Sequence, residues 1–304
     1  MNTNIQFTHI VSGEDDGKML KQVLRNKYRF SKRMMSRLKM NRLVTVNGEI
    51  RYFTSRVEEG DTIEIRFMEE EAENVLPQPV PFAIVEEDED LIVIDKPPGL
   101  VVHPTRGHPE GTLANGLVYY WKKRGERRKF RPVNRLDRDT SGLMVVGKHA
   151  YTHAFLAAQM EKKHYERSYY AVVHGQVKED NGTIDKPIQL LPEEKGGRVV
   201  SEEGVRAITY FQVIKRFPKA TLLRLWLETG RTHQIRIHLA SIGHPIIGDA
   251  LYGTGDDHHL MKRQALHASY LRLLHPRLHE WKEWESPLPD DIRKLLETLE
   301  TGEF

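Results

Sequence analysis

The sequence predicts an α+β protein in two parts: a small amino-terminal α/β module, then a larger domain on a mixed, largely antiparallel sheet. Three observations carry this expectation. Residues 17–48 combine helical apolar spacing with dense positive charge and run into strand patterns. An acidic and then proline-bearing stretch follows, and beyond it strand and helix patterns succeed one another without regular alternation. At 304 residues the chain exceeds one average domain and can bury a sizeable core. Its 39% hydrophobic and 29% charged residues are the composition of a soluble globular protein. No apolar run reaches membrane-spanning length, and residues 1–11 lack the basic-then-apolar layout of a signal peptide, so no membrane association is expected. The absence of cysteine excludes disulfides and thiolate metal ligands and fits a reducing cytoplasm.

In the first module, Leu20, Val23, Leu24 and Tyr28 recur at helical spacing and leave Lys21, Arg25 and Arg29 outward. Ser31 is placed to cap a second helix that turns Met34, Met35 and Leu38 inward and Arg33, Arg37 and Lys39 outward. Leu43-Val44-Thr45-Val46 before Asn47-Gly48 reads as a strand entering a tight turn. Ile63, Ile65 and Phe67 alternate with polar residues in a closing strand. The net charge of +3 points to no partner by itself, but residues 17–48 hold ten cations and no acid. Such a surface repels itself unless a polyanion binds it, which weighs against a merely solvated basic hairpin. Two short basic helices, then Val44-Thr45-Val46-Asn47-Gly48 and Gly60-Asp61-Thr62-Ile63-Glu64-Ile65, resemble the S-four-like RNA-binding domain over residues 13–68. The resemblance implies RNA contacts from Lys32, Arg33, Arg37, Lys39 and Arg42. Residues 69–82, acidic and then bearing Pro77, Pro79 and Pro81, read as an extended linker. The larger domain is expected over 83–290, with a C-terminal tail at 291–304.

Within that domain Leu91-Ile92-Val93-Ile94 is a buried strand, stopped by the turn Lys96-Pro97-Pro98-Gly99. Helices are expected over 112–121 and 150–161, and strands over 143–146, 169–173 and 220–227. Thr232 is a candidate N-cap for a helix with Ile235, Leu239 and Ile242 inward, ended by Gly243 and Pro245.

The chemistry concentrates in Asn134-Arg135-Leu136-Asp137-Arg138-Asp139-Thr140-Ser141-Gly142, an acid flanked by arginines in a turn between apolar strands. Neighbouring positive charge stabilises such a carboxylate. Taken alone, the pattern fits a structural cap or salt bridge as well as a catalyst. A second block, Thr229-Gly230-Arg231-Thr232-His233-Gln234-Ile235-Arg236-Ile237-His238, supplies further cations and donors. Together with Arg167-Ser168-Tyr169-Tyr170-Ala171-Val172-Val173, these blocks resemble the RluA-type family of RNA pseudouridine synthases over residues 83–288. The resemblance implies a pseudouridine synthase fold, with Asp137 as nucleophile, Tyr169 as the active-site tyrosine and Arg236 in a salt bridge with Asp137. A guanidinium there could grip both carboxylate oxygens. Arg231 is the alternative partner or a phosphate contact. Arg135 would fill the gap left by an extruded uridine, and His233 and Thr140 join the substrate-binding positions. Asp139 is the competing acid, able to cap the turn locally.

The chain departs from the family pattern at Arg167, where lysine is usual, and at Asn134, where histidine is usual. Lys96-Pro97-Pro98-Gly99, the segment from His244 to Asp249 and Gln264-Ala265-Leu266-His267-Ala268 also match, as parts that shape the sheet and pocket. Isomerising uridine breaks one bond to the base and forms another, so neither metal nor organic cofactor is expected. His233 and His238 raise a metal site, but acids at ligand spacing and cysteine are missing around them. The resemblance points to structured RNA as partner, ribosomal RNA of the large subunit first and transfer RNA second, and to a cytoplasmic monomer. A non-catalytic RNA-binding or ribosome-assembly factor is the competing class, against which the intact Asp, Tyr and Arg set stands. A nucleoside hydrolase would leave the basic module without a use.

Overall fold

In the computed structural model, which describes residues 5–68, 75–162, 164–191, 197–255 and 257–302, the amino-terminal apolar pattern closes a core of its own. The module comprises β1 (Ile5–Ile10), α1 (Leu20–Tyr28), α2 (Lys32–Met40), β2 (Val44–Val46) and β3 (Thr62–Phe67). β3 is central and antiparallel to both other strands. Its Ile63, Ile65 and Phe67 are buried with Leu20, Val23, Leu24 and Leu38 from the helices. Ser31 caps α2 by accepting the Met34 amide at 3.2 Å. Asn47 and Gly48 both adopt left-handed backbone, φ 53° and 81°, as a tight turn there requires. β1 lies upstream of residue 13, so the module begins earlier than the sequence reading placed it. The missed signal is alternation, since Phe7 and His9 are buried and Thr8 and Ile10 exposed.

The larger domain comprises β4 (Ala83–Glu87), β5 (Leu91–Lys96), α3 (Leu113–Lys123), β6 (Ser141–Gly147), α4 (Ala150–Glu161), β7 (Glu166–His174), β8 (Asn181–Asp185), β9 (Ile188–Leu190), β10 (Arg198–Val200), β11 (Ile208–Arg216), β12 (Ala220–Leu227), α5 (Gln234–Ser241), β13 (Leu266–Leu274), β14 (Trp281–Glu285) and α6 (Asp290–Thr301). Its main sheet runs β4-β5-β6-β13-β7-β12-β11-β8, with β14 added along β13. Every pairing is antiparallel except β6 with β13, which is the mixed, largely antiparallel sheet expected. β13 meets β6 only at His267 and Ala268 and pairs with β14 from Tyr270 onward, so the sheet forks there. Gly142 stands at the fork with φ 110°, and a Cβ on it would come within 2.2 Å of the Ala268 carbonyl oxygen. Only glycine fits.

α3 and α6 pack Leu113, Leu117, Trp121, Ile292, Leu295 and Leu299 into the core shared with Ile92, Ile94, Met144 and Val146. α4 joins the core on the opposite face through Leu156, with Leu91, Val93, Leu143 and Val145. The segment read as a C-terminal tail is therefore α6, part of the core; the spacing of Ile292, Leu295 and Leu299 is helical. Of the expected linker, residues 69–74 lie outside the described ones, and the rest is strapped to α3. Gln78 N donates to the Asn115 carbonyl at 3.2 Å, and Asn115 Nδ2 to the Leu76 carbonyl at 2.8 Å. Thr232 does not cap α5. His233 occupies that position with φ 58°, and the Gln234 side chain closes the turn instead, accepting from Arg231 N at 3.0 Å and Thr229 Oγ1 at 2.7 Å. Among the described residues, no helix is long and apolar enough to cross a membrane.

Module and domain meet through aromatic rings. Phe67 stacks on His149 at 4.8 Å and on Tyr151 at 5.7 Å, and Phe30 meets Tyr151 edge-on at 5.0 Å. The Arg277 guanidinium lies 4.1 Å over the Phe7 ring. Asp90, 1% exposed, anchors the junction through His149 Nε2 at 2.7 Å and Arg277 Nε at 2.6 Å. Burial alone would raise its pKa, but these hydrogen bonds and charges outweigh it and bring Asp90 down to about 2. Because this lies below the ordinary 3.8, Asp90 contributes its full stability above that pH and loses it as the pH falls towards about 2. Asp90→Asn should cost about 3 kcal/mol at neutral pH, since the half-buried Arg277 guanidinium would then face a neutral amide and the buried His149, whose pKa burial lowers, would lose its carboxylate partner. Thermal unfolding between pH 2 and 7 should also show a flatter acid limb in the variant than in the parent.

Candidate active site

The acid-bearing loop is held from below and from one side. Residues 131–134 run antiparallel to β6, with Gly147 N on the Arg131 carbonyl at 2.9 Å and Val133 N on the Val145 carbonyl at 2.8 Å. Asn134 is 3% exposed, and its Oδ1 accepts from Val145 N at 2.9 Å and from the Tyr165 hydroxyl at 3.0 Å. The residue standing where the family pattern has histidine is thus a buried anchor of the loop. Leu136 enters the core, Arg135 stays exposed at the rim, and Thr140 N closes the turn on the Asp137 carbonyl at 3.2 Å. Beneath lies Lys96, fully buried, whose Nζ donates to the carbonyls of Pro97, Leu100 and Arg138 at 2.8, 3.0 and 2.8 Å. Burial pushes this amine down to about 7. Its three bonds tie the turn after β5 to the loop carrying Asp137.

Of the two candidate acids, Asp139 turns to its neighbour Arg138, which donates to it through Nε and Nη2 at 2.9 to 3.1 Å. Asp137 faces α5, where Arg236 Nη1 donates to its Oδ2 at 3.1 Å. The two-pronged grip expected on Asp137 falls instead on Asp249, which takes Arg236 Nε at 2.7 Å and Nη2 at 2.8 Å. Asp249 Oδ1 also accepts the Leu251 and Tyr252 amides at 2.9 and 3.0 Å. Burial raises the Asp249 pKa, yet Arg236 and the two amides outweigh that, and it lies below the carboxylate range. Arg236 is held fully charged: burial opposes its charge, and the two acids more than compensate. The second oxygen of Asp137, Oδ1, lies 3.8 Å from His233 Nε2, whose Nδ1 is 3.1 Å from the Tyr252 hydroxyl. Burial lowers the His233 pKa, against the pull of Asp137, so the ring is neutral at pH 7. Both side chains that touch Asp137 therefore rest on the short loop from Asp249 to Tyr252.

These groups open into one cleft. It brings together every position read from the sequence as catalytic or substrate-binding: Asp137, Tyr169, Arg236, Arg135, Arg231, His233 and Thr140. Tyr169 comes from β7, and Leu227, Ile235 and Leu266 complete the apolar walls. Arg231 does not reach Asp137; its Nε donates to the Arg206 carbonyl at 3.2 Å. Thr140 Oγ1 accepts from Gln264 Nε2 at 3.2 Å. The arrangement offers a carboxylate with one oxygen unclamped by guanidinium, in the same open cleft as a phenol. The module cations Lys32, Arg33, Lys39 and Arg42 are exposed on or just after α2, with Arg37 half-buried, and none lines this cleft.

His238 is engaged by Thr209 Oγ1 and the Lys186 carbonyl, both at 2.9 Å. Among the described residues, Asp88, Asp90 and His275 converge closely enough to hold an ion, but Asp88 pairs with His275 and Asp90 with His149 and Arg277. Sequence reasoning missed Asp249, Tyr252 and Lys96 as supports of the acid. Lys96 and Asp249 lie in recognised segments and Tyr252 in none, and nothing in a linear pattern tells which acid receives a distant arginine's fork.

The family model for RNA pseudouridylate synthase matches residues 90–241. That for the RluD ribosomal pseudouridine synthase N-terminal domain matches residues 7–63, starting within β1. The chain is similar to an uncharacterized RNA pseudouridine synthase of Bacillus subtilis, 40% identical over 95% of this chain and 96% of the relative. It is also similar to the ribosomal large subunit pseudouridine synthase D of Escherichia coli K12, 37% identical over 98% of this chain and 96% of the relative. Among solved structures it resembles human RNA pseudouridylate synthase domain containing 4, with a TM-score of 0.59 and 25% identity over 72% of this chain and 93% of that one.

Arg236→Lys should lower the single-turnover rate about a hundredfold, because a lysine cannot hold Asp249 with two donors while directing a third at Asp137. RNA affinity should change little, and Arg231→Lys should be the milder variant. Asp249→Asn should approach the loss in Arg236→Lys. Rapid-quench assays at saturating RNA check all three.

Proposed function

The chain belongs to the RNA pseudouridylate synthase family, and we propose that it isomerises a uridine of large-subunit ribosomal RNA, as a cytoplasmic monomer, with Asp137 as the nucleophile. The observation that carries this reading is the pairing of Asp137 with the buried, doubly anchored Arg236 in the cleft walled by Tyr169. The names of the relatives support the ribosomal target.

The reaction breaks the bond from C1′ of the ribose to N1 of the base, turns the base, and joins C1′ to C5. The proton on C5 is lost and N1 ends protonated, so atoms balance with no external group. Three demands follow, and each has a residue. The uridine must leave the stack to be reached, and Arg135 at the exposed rim fills its place and holds its phosphate. A nucleophile must meet it with a free oxygen, and Arg236 leaves Oδ1 of Asp137 available by holding only Oδ2. The detached base must be kept close while it turns, and the Tyr169 ring provides the platform. The amino-terminal module contributes through the phosphate backbone, with Lys32, Arg33, Arg37, Lys39 and Arg42.

Asp137→Asn should abolish isomerisation, with a barrier raised by about 4 kcal/mol or more, and leave RNA affinity nearly unchanged. Pseudouridine maps of total RNA from cells with and without the gene should differ at a site in large-subunit ribosomal RNA, and a plasmid carrying Asp137→Asn should not restore it. A difference confined to transfer RNA would move the target, and turnover by a folded Asp137→Asn protein would remove the nucleophile assignment.

A further inference from the structure

Module and domain leave part of the space between them unfilled. A cavity of about 200 Å³ lies between the turn joining α1 to α2 and one face of α4. Both parts contribute rings to its walls, Phe30 from the module and Tyr151 and Phe155 from α4. Phe30 meets Tyr151 edge-on at 5.0 Å, Tyr151 lies 5.8 Å from Phe155, and Phe155 stacks on His279 at 6.0 Å, so the rings brace one another. The polar groups among them are engaged elsewhere. Gln159 Nε2 donates to the Leu274 carbonyl at 2.7 Å and its Oε1 accepts from Leu274 N at 2.8 Å, while the Tyr151 hydroxyl donates to the Pro276 carbonyl at 3.2 Å. The walls therefore present aromatic surface and little hydrogen bonding.

Two features distinguish this gap from a flaw in packing. Small residues keep it open: Ala154 and Ala158, one turn apart on α4, line it and are exposed, and a longer side chain at either position could close it. Empty apolar volume costs stability, so an occupant would recover what the gap forgoes. The second feature is charge. Arg29, Lys162 and His164 line the cavity and are exposed, and no carboxylate among the described residues lines it. Ser31, also at its edge, leads into Lys32 and Arg33, exposed cations of α2. The complementary occupant is a flat apolar ring joined to an anion, which is the chemistry of a nucleotide. An apolar cavity of about 150 Å³ admits benzene, so this one has room for an aromatic ring. Unpaired bases are held in this way, on aromatic side chains beside a positively charged track.

We propose that this cavity receives an unpaired base of the RNA substrate, packed against Phe30 and Phe155, with the flanking phosphates held by Arg29 and Lys162. This rests on the reading of structured RNA as substrate. The site is separate from the cleft of Asp137, since the two share no lining residue. Every base has a flat face, so the cavity adds affinity without choosing a sequence. Its walls come from both parts of the chain, and neither part makes this contact alone.

The test is binding of a large-subunit ribosomal RNA transcript by the full chain across a salt series. A double variant, Ala154→Leu with Ala158→Leu, fills the cavity from α4 without touching its charge. Lys162→Gln removes one charge at its edge, and Lys294→Gln, exposed on α6, is the control. The filled variant should bind about tenfold more weakly, with the parent's slope of log affinity against log salt, because it evicts a stacked base and no phosphate. Lys162→Gln should reduce that slope by about 0.7, the value of one contact to a single strand. Lys294→Gln should match the parent throughout, and thermal unfolding should show the filled variant at least as stable as the parent. Parent-like affinity in a folded filled variant overturns the proposal and makes the gap a void in packing. A parent-like slope in Lys162→Gln overturns it equally, and that surface variant decides the matter if the filled one does not fold. Pseudouridine formation by the unaltered protein on the same transcript separates the two readings. Its presence with unaffected variants removes only this cavity's role, whereas its absence removes the substrate on which the proposal rests.

Discussion

A guanidinium as buried as that of Arg236, at 7% exposure, is stable only if anions and acceptors replace its lost water. Two acids far apart in the chain do so, Asp137 before β6 and Asp249 after α5, and they do not share the task equally. Asp249 takes the fork and is itself fixed by two backbone amides, whereas Asp137 receives a single donor. A planar cation directs its remaining N–H along a line set by the fork, so Asp249 decides where Asp137 points. The reverse arrangement, with the fork on Asp137, would occupy both of its carboxylate oxygens. The neutral His233, backed by Tyr252 of the same loop, limits the other side.

Much of this was legible in the sequence because local patterns have local causes. Periodic Leu20, Val23, Leu24 and Tyr28 have one amphipathic solution, and Ser31 ahead of Met34 is a cap wherever the helix ends up. The mixed sheet followed from irregular alternation, and the cleft residues from the two motifs. The order of strands was not legible, because β13 joins β6, β7 and β14 through contacts up to 126 residues apart. Two boundaries were misplaced where short signals were discounted, at β1 and at α6. The cap at Thr232 failed for a different reason: Gln234 supplies an acceptor to the same turn and leaves the threonine nothing to do.

The aromatic junction gives the two parts a fixed relation. Phe67, His149 and Tyr151 stack across it, and the buried Asp90 ties His149 and Arg277 beneath. A module docked this way presents its cations at a set distance from the cleft, which suits a structured RNA better than a mobile tether would. Lys96 plays the same role for the loop itself, holding the Arg138 carbonyl from a site with no contact to solvent.

The central claim is that Asp249 acts on Asp137 through Arg236 and not by some separate route. A double-mutant cycle on the single-turnover rate, combining Arg236→Lys with Asp249→Asn, tests it most directly. If Asp249 works through the guanidinium, removing its charge from a protein that already carries lysine should cost almost nothing further, and the double variant should be about as slow as Arg236→Lys alone. Losses that multiply would contradict the account and make Asp249 an independent support of the fold.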